Sequence, residues 1–164
     1  MREADLKLLR LMRTRGHSPG LESAAKALGK AANNGAVWVV LGVALALLDP
    51  ERRESWLICA VLGPVAIGLN YGIKLLVKRP RPVLEGLPPL GGAPSSLSFP
   101  SAHALSSFAV ATAMFRVDSA TAGALLVALA ISLGRPYLGM HYPSDVLAGA
   151  LLGVLLGLIV PLSL

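Results

Sequence analysis

Cysteine is nearly absent from the 164 residues. Cys59 stands alone inside an apolar run, which excludes an intrachain disulfide framework and a cysteine-based metal site. Charged residues are scarce too, at 15% against roughly 25% in an average soluble domain, so an ordinary soluble domain is excluded. Aromatics reach only 5%, so the hydrophobicity comes from aliphatic and small residues. No carboxylate cluster has the spacing of a metal site, and neither metal nor cofactor is expected. The first fifteen residues, MREADLKLLRLMRTR, lack the apolar core of a secretory signal, so no cleavage is expected.

What the chain does have is long Ala, Leu, Val and Gly stretches: 54% of residues are hydrophobic and the mean hydropathy is +0.66. Apolar runs at 34–48, 56–77, 102–117, 120–134 and 146–164 read as helices, because open strands cannot satisfy their backbone in lipid. The expected fold is an all-α polytopic membrane bundle of about five transmembrane helices, forming one domain over 31–164. Residues 1–30 are expected to form an amphipathic interfacial segment, since Leu6, Leu9 and Met12 or Arg13 follow three-to-four spacing beside Lys7 and Arg10. Segment 83–98, with three Gly and three Pro, is a loop expected to lie over the site. Gly149, Gly153 and Gly157 recur every four residues, the pattern that lets membrane helices approach closely, and Asp145 falls on the same inward face. The net charge of +6 reads as orientation and lipid contact, with no nucleic-acid partner expected.

Three polar clusters interrupt the apolar chain, all at helix ends that an up-and-down order places on one membrane side. In the first, Asn70 and Lys74 share a helix face, and Pro80 ends the helix so that Arg81 can fold back towards Lys74, aiming two cations at one anion. Snorkelling to headgroups accounts for Lys78 and Arg79. In the second, Pro100 suits a first helical turn, Ser101 adds a hydroxyl donor, and His103 can donate a proton at neutral pH. In the third, Arg135 offers a bidentate fork for phosphate, and Asp145 can hold one nitrogen of His141 and leave the other free to attack. Helix capping is the competing reading of Asp145.

Taken together and in order, K-x6-RP at 74–82, PSAH at 100–103 and R-x5-H-x3-D at 135–145 resemble the three-part signature of the type 2 phosphatidic acid phosphatase superfamily. Two positions depart from the usual pattern: Ala102 stands where the second motif usually has glycine, and Gly134 where the third usually opens with serine. The resemblance implies a metal-independent membrane lipid phosphatase working through a phosphohistidine. It implies His141 as nucleophile, Asp145 as its orienting group and His103 as the acid and base. It also implies Lys74, Arg81, Ser101, Arg135 and the Ala102 amide as phosphate ligands, with Asn70 and Gly134 behind them.

The implied partners are a membrane lipid phosphate and the bilayer itself. Decaprenylphosphoryl-5-phosphoribose, a cell-wall arabinan precursor, is the narrower expectation. Undecaprenyl pyrophosphate and phosphatidylglycerophosphate are alternatives within the family, and a small transporter or scaffold is the alternative outside it. With five spans, twelve of the fifteen Lys and Arg fall on the side of the three clusters, so the catalytic face is expected to be cytoplasmic in a multi-pass plasma-membrane protein.

Overall fold

A computed structural model describes residues 2–91 and 97–163; residues 92–96 of the predicted loop lie outside them. The regular structure of the described residues is all helical, with no strand among them. The helices are α1 (Arg2–Thr14), α2 (Pro19–Ala31), α3 (Ala36–Leu48), α4 (Arg53–Val77), α5 (Ala102–Val117), α6 (Gly123–Tyr137) and α7 (Pro143–Ile159). The predicted apolar runs become α3 to α7. Short 3-10 turns precede α3, α4 and α6, and α7 stops at Ile159 rather than running to the C-terminus.

Two helices, counted with their leading 3-10 turns, are long and apolar enough to cross a membrane: Pro50–Val77 and Ser119–Tyr137. A third span is possible if Pro19–Ala31 and Asn33–Leu48, bent by 52° at Ala32, act as one. At 16 and 17 residues, α5 and α7 rise about 24–26 Å, short of a hydrocarbon core of about 30 Å.

The core is built on small residues. α5 is the central helix, buried along most of its length and packed against α4, α6 and α7. Trp38 of α3 donates its indole N–H to the Ser107 hydroxyl at 3.0 Å, anchoring the outer helix to the centre. The α5–α7 contact depends on the glycine stripe: a Cβ at Gly153 would meet the Leu105 carbonyl oxygen, and one at Gly149 would lie 2.6 Å from the Ser101 carbonyl oxygen. Gly153→Val should therefore overpack this interface by about 1–3 kcal/mol and lower the Tm in detergent by roughly 2–12 °C. Gly68→Ala, where an added Cβ meets nothing within 4 Å, should not lower it. Equal Tm values for Gly153→Val and wild type would contradict this packing.

The chain order brings the ends together as expected. Far from the polar clusters, Arg52 donates to Asp118 at 3.0 Å, tying the start of α4 to the end of α5. At the other end, the Ser101 amide donates to the Asp145 carbonyl at 3.0 Å, tying the start of α5 to the start of α7.

The N-terminal segment is two helices, broken over residues 15–18, and α1 does more than rest on the surface. Asp5, Leu9 and Arg13 are buried against the end of the bundle that carries the polar clusters. Arg13 donates to the Pro88 carbonyl at 2.7 Å, linking α1 to the described part of the long loop.

Candidate active site

The structure brings His141, His103, Asp145, Lys74, Arg81, Arg135 and Ser101 to one end of the bundle. His141 sits in the turn between α6 and α7. That turn forms because Gly139 adopts φ +77°, open to glycine, and because Arg13 packs where a Cβ at Gly139 would go, 2.9 Å from its Nε. His141 is buried, with the Asp145 carboxylate 3.6 Å from Nδ1 and an Arg81 guanidinium nitrogen 3.4 Å from Nε2. The first separation is ion-pair reach rather than a hydrogen bond. One face of the imidazole thus meets an anion and the other a cation.

Burial pushes the His141 pKa down to about 4; Arg81 adds to this and Asp145 opposes it. The ring stays neutral until the pH falls through that value, with the Nε2 lone pair turned towards Arg81. The acid limb that His141 contributes to kcat/KM, which reports the free enzyme, should accordingly lie near pH 4 rather than at the ordinary histidine value of about 6.5. A His141 pKa of about 6 to 7 in an NMR titration of ring-labelled protein would contradict this environment, whereas a rate limb at about pH 6 belongs to the second ionisation of the phosphate ester itself.

Asp145 is fully buried and has three engagements. One oxygen accepts from Arg79 at 2.6 Å, and the other accepts from the Tyr142 amide at 3.0 Å while facing His141. The carboxylate thus caps α7 and at the same time faces His141 Nδ1, which has no hydrogen-bond partner among the described residues. Arg79 corrects the sequence reading. Instead of snorkelling to headgroups, it bridges Asp145 and Asp5 at 2.6 and 2.7 Å and stacks over the Tyr142 ring at 3.9 Å. Asp5 also accepts from the Ser144 amide and hydroxyl. Burial alone would raise the Asp5 pKa, but the bonds from Ser144 and Arg79 hold it below the ordinary carboxylate value.

The other cations hold softer partners. Lys74 donates to the Leu97 carbonyl at 2.6 Å and Arg81 to the Met140 carbonyl at 2.5 Å. Arg135 lies 2.8 Å from the Met140 sulfur, and its Nε has no hydrogen-bond partner among the described residues. Asn70 donates to the Pro100 carbonyl at 2.9 Å and so fixes the approach to α5. Pro100 lies ahead of the helix, whose N-cap is Ser101, because the Ser101 side chain accepts from the Ala104 amide. Ala102 opens α5. Gly134 faces α2, where an added Cβ would make an ordinary contact with Ala25 at 3.5 Å.

His103 Nε2 lies 3.1 Å from the Gly29 carbonyl and 3.2 Å from Asn33 Oδ1. Because a carbonyl only accepts, Nε2 carries the hydrogen in these contacts, and Nδ1 is the ring nitrogen they do not use. Asp5, Arg79, Gly29, Asn33 and Ser144 were not singled out as site residues. For Asp5 a signal existed: Asp5, Leu9 and Arg13, at i, i+4 and i+8, share a helix face that carries two charges, which suits a polar partner better than lipid. Among the described residues, no group of three or more His, Cys, Asp or Glu could hold a metal ion.

A family model described as the PAP2 superfamily matches residues 36–164. A decaprenylphosphoryl-5-phosphoribose phosphatase of Mycolicibacterium smegmatis is 40% identical over 131 residues, which cover 80% of this chain and 72% of that protein. The crystal structure of Aquifex aeolicus LpxE is similar with a TM-score of 0.78 at 28% identity, over 94% of this chain and 92% of that one. A transmembrane PAP2 type phosphatidylglycerolphosphate phosphatase from Bacillus subtilis is similar in fold, with a TM-score of 0.78 at 24% identity over 96% and 83% of the two chains.

Proposed function

The chain belongs to the PAP2 superfamily and is a membrane lipid phosphatase, and from that premise we propose that it removes the terminal phosphate of a polyprenylphosphoryl-5-phosphoribose through a phosphohistidine, without a metal ion. The observation that carries the chemistry is buried His141 held between Asp145 at Nδ1 and Arg81 at Nε2. Nε2 attacks phosphorus in line and forms the N–P bond as the P–O ester bond breaks. The departing sugar oxygen takes the Nδ1 proton of the His103 imidazolium, which leaves that ring neutral. In the second step His103 accepts a proton from water, whose oxygen attacks phosphorus and releases inorganic phosphate and free His141. Lys74, Arg81 and Arg135 spread the charge of the three phosphoryl oxygens, the part of phosphoryl transfer that most needs stabilising. Ser101 and the Ala102 amide complete the phosphate cradle, with Asn70 holding its position. Gly134 sits behind it, at the α2 contact.

In this reading α3 to α7 all cross the bilayer, the shorter helices being accommodated by local thinning or tilt. Residues 31–164 then form the phosphatase domain, and 1–30 an interfacial segment whose inner face closes the site. The catalytic end faces the cytoplasm, supported by nine Lys and Arg there, after Lys74, Arg81 and Arg135 are set aside for chemistry, against Arg52, Arg53 and Arg116 opposite.

The test is phosphate release by the purified full chain in neutral detergent across a polyprenylphosphoryl-5-phosphoribose, phosphatidylglycerophosphate, phosphatidic acid and undecaprenyl pyrophosphate. The prenyl phosphoribose should have the highest kcat/KM. EDTA should leave activity intact, and vanadate, a mimic of the trigonal-bipyramidal phosphoryl state, should block it. A strict Mg²⁺ requirement would overturn the mechanism, and preference for another lipid would overturn the substrate.

A further inference from the structure

Beside the catalytic cluster lies a cavity of about 470 Å³, a size that holds a small ligand and more than a phosphoryl group. One wall carries His103 and Arg135. The facing wall comes from α2 and the turn after it: Lys26, Gly29, Lys30 and Asn33. All four precede residue 36, where the family match begins. The two walls are in direct contact. The Gly29 carbonyl meets His103 at 3.1 Å, and a Cβ on Gly29 would lie 2.5 Å from an Arg135 guanidinium nitrogen.

Lys26 and Lys30 are one helical turn apart and line the same cavity. Neither is paired with a carboxylate among the described residues, and Glu22, one turn before Lys26, pairs with His17 at 3.2 Å. The phosphoryl group being transferred already has Lys74, Arg81 and Arg135 in the proposed mechanism. Two further cations lining the cavity, both exposed on α2, exceed what one phosphate monoester requires.

We infer that Lys26 and Lys30 form a second anion subsite, which holds a phosphodiester located between the lipid and the phosphate being removed. This rests on the phosphatase site proposed above and narrows its substrate class to lipids carrying two separate phosphates. A lipid phosphate with a single phosphoryl group would leave the subsite unused. Acidic lipid headgroups offer the same anion chemistry, so the experiment separates the two sources.

Wild type and Lys26→Glu/Lys30→Glu are compared in neutral detergent micelles on polyprenylphosphoryl-5-phosphoribose, phosphatidylglycerophosphate and phosphatidic acid. The first two carry a phosphodiester as well as the terminal monoester, and the third carries only the monoester. The double variant should lose about tenfold more kcat/KM on the diester-bearing lipids than on phosphatidic acid, mainly through KM. Equal losses on all three, or no loss, would overturn the subsite. So would a loss seen only in vesicles containing anionic lipid and shared by every substrate, because the lysines would then serve the membrane surface. If the wild type ignores the prenyl lipid yet hydrolyses phosphatidylglycerophosphate with the same lysine dependence, the prenyl reading falls and the subsite stands.

Discussion

His141→Ala should lower phosphate release by about 10⁴-fold or more on every substrate, leaving only the stabilisation from the surrounding cations. The loss follows from position: His141 is the buried imidazole with Arg81 at one nitrogen and Asp145 behind the other, so no neighbouring group can take over the attack. His103→Ala should behave differently. Losing a proton donor costs about 10²–10⁴-fold when the leaving group is a poor one such as a sugar alkoxide. With an aryl phosphate, whose oxygen leaves without help, formation of the phosphoenzyme should be far less affected. Pre-steady-state burst rates on the two leaving groups, which report phosphoenzyme formation apart from its hydrolysis, check the pair. Equal sensitivity of both variants to the leaving group would contradict the division of labour between the histidines.

The second large effect falls on Arg79, which touches no reacting atom. Asp145 is fully buried, and Arg79 is the cation that offsets its charge. Arg79→Gln should destabilise the protein by about 3–5 kcal/mol, the usual consequence of stranding one member of a buried ion pair. It should also lower kcat more than it raises KM, because an Asp145 carboxylate without the Arg79 hydrogen bond is free to rotate away from the His141 ring. Asp5→Asn should act in the same direction and less strongly, since Arg79 and Ser144 each keep a neutral acceptor. Thermal unfolding in detergent and the split between kcat and KM check both. An Arg79→Gln protein with wild-type Tm and kcat would return Arg79 to the headgroup role that its place in the sequence suggests.

These two cases show what the sequence made legible. The motif residues could be read because each chemical type has one natural job at a helix end, and because alternating helix direction sends the ends of α4 and α6 and the starts of α5 and α7 to one side. The glycine stripe of α7 was readable for a similar reason: close approach of helices in lipid has few sequence solutions. Asp5 was readable only as part of a charged helix face in need of a polar partner, and its pairing with Arg79 was not, because the two residues lie 74 positions apart and a basic residue after a membrane helix has an equally good local explanation in the headgroups. The contact of Gly29 and Asn33 with His103 was hidden by the same sequence distance. It depends on the bend between α2 and α3, where Asn34 and Gly35 take positive φ. The sequence marked that region only as the start of a span.

The central claim is a covalent phosphohistidine at residue 141. Rapid-quench labelling with a phosphate-radiolabelled lipid substrate and with a radiolabelled aryl phosphate, followed by peptide mapping under alkaline conditions that preserve phosphohistidine, tests it most directly. The account predicts label on His141 in the wild type, more of it in His103→Ala when the leaving group is good, and none in His141→Ala. Label retained in His141→Ala, or mapped to another residue, would contradict it.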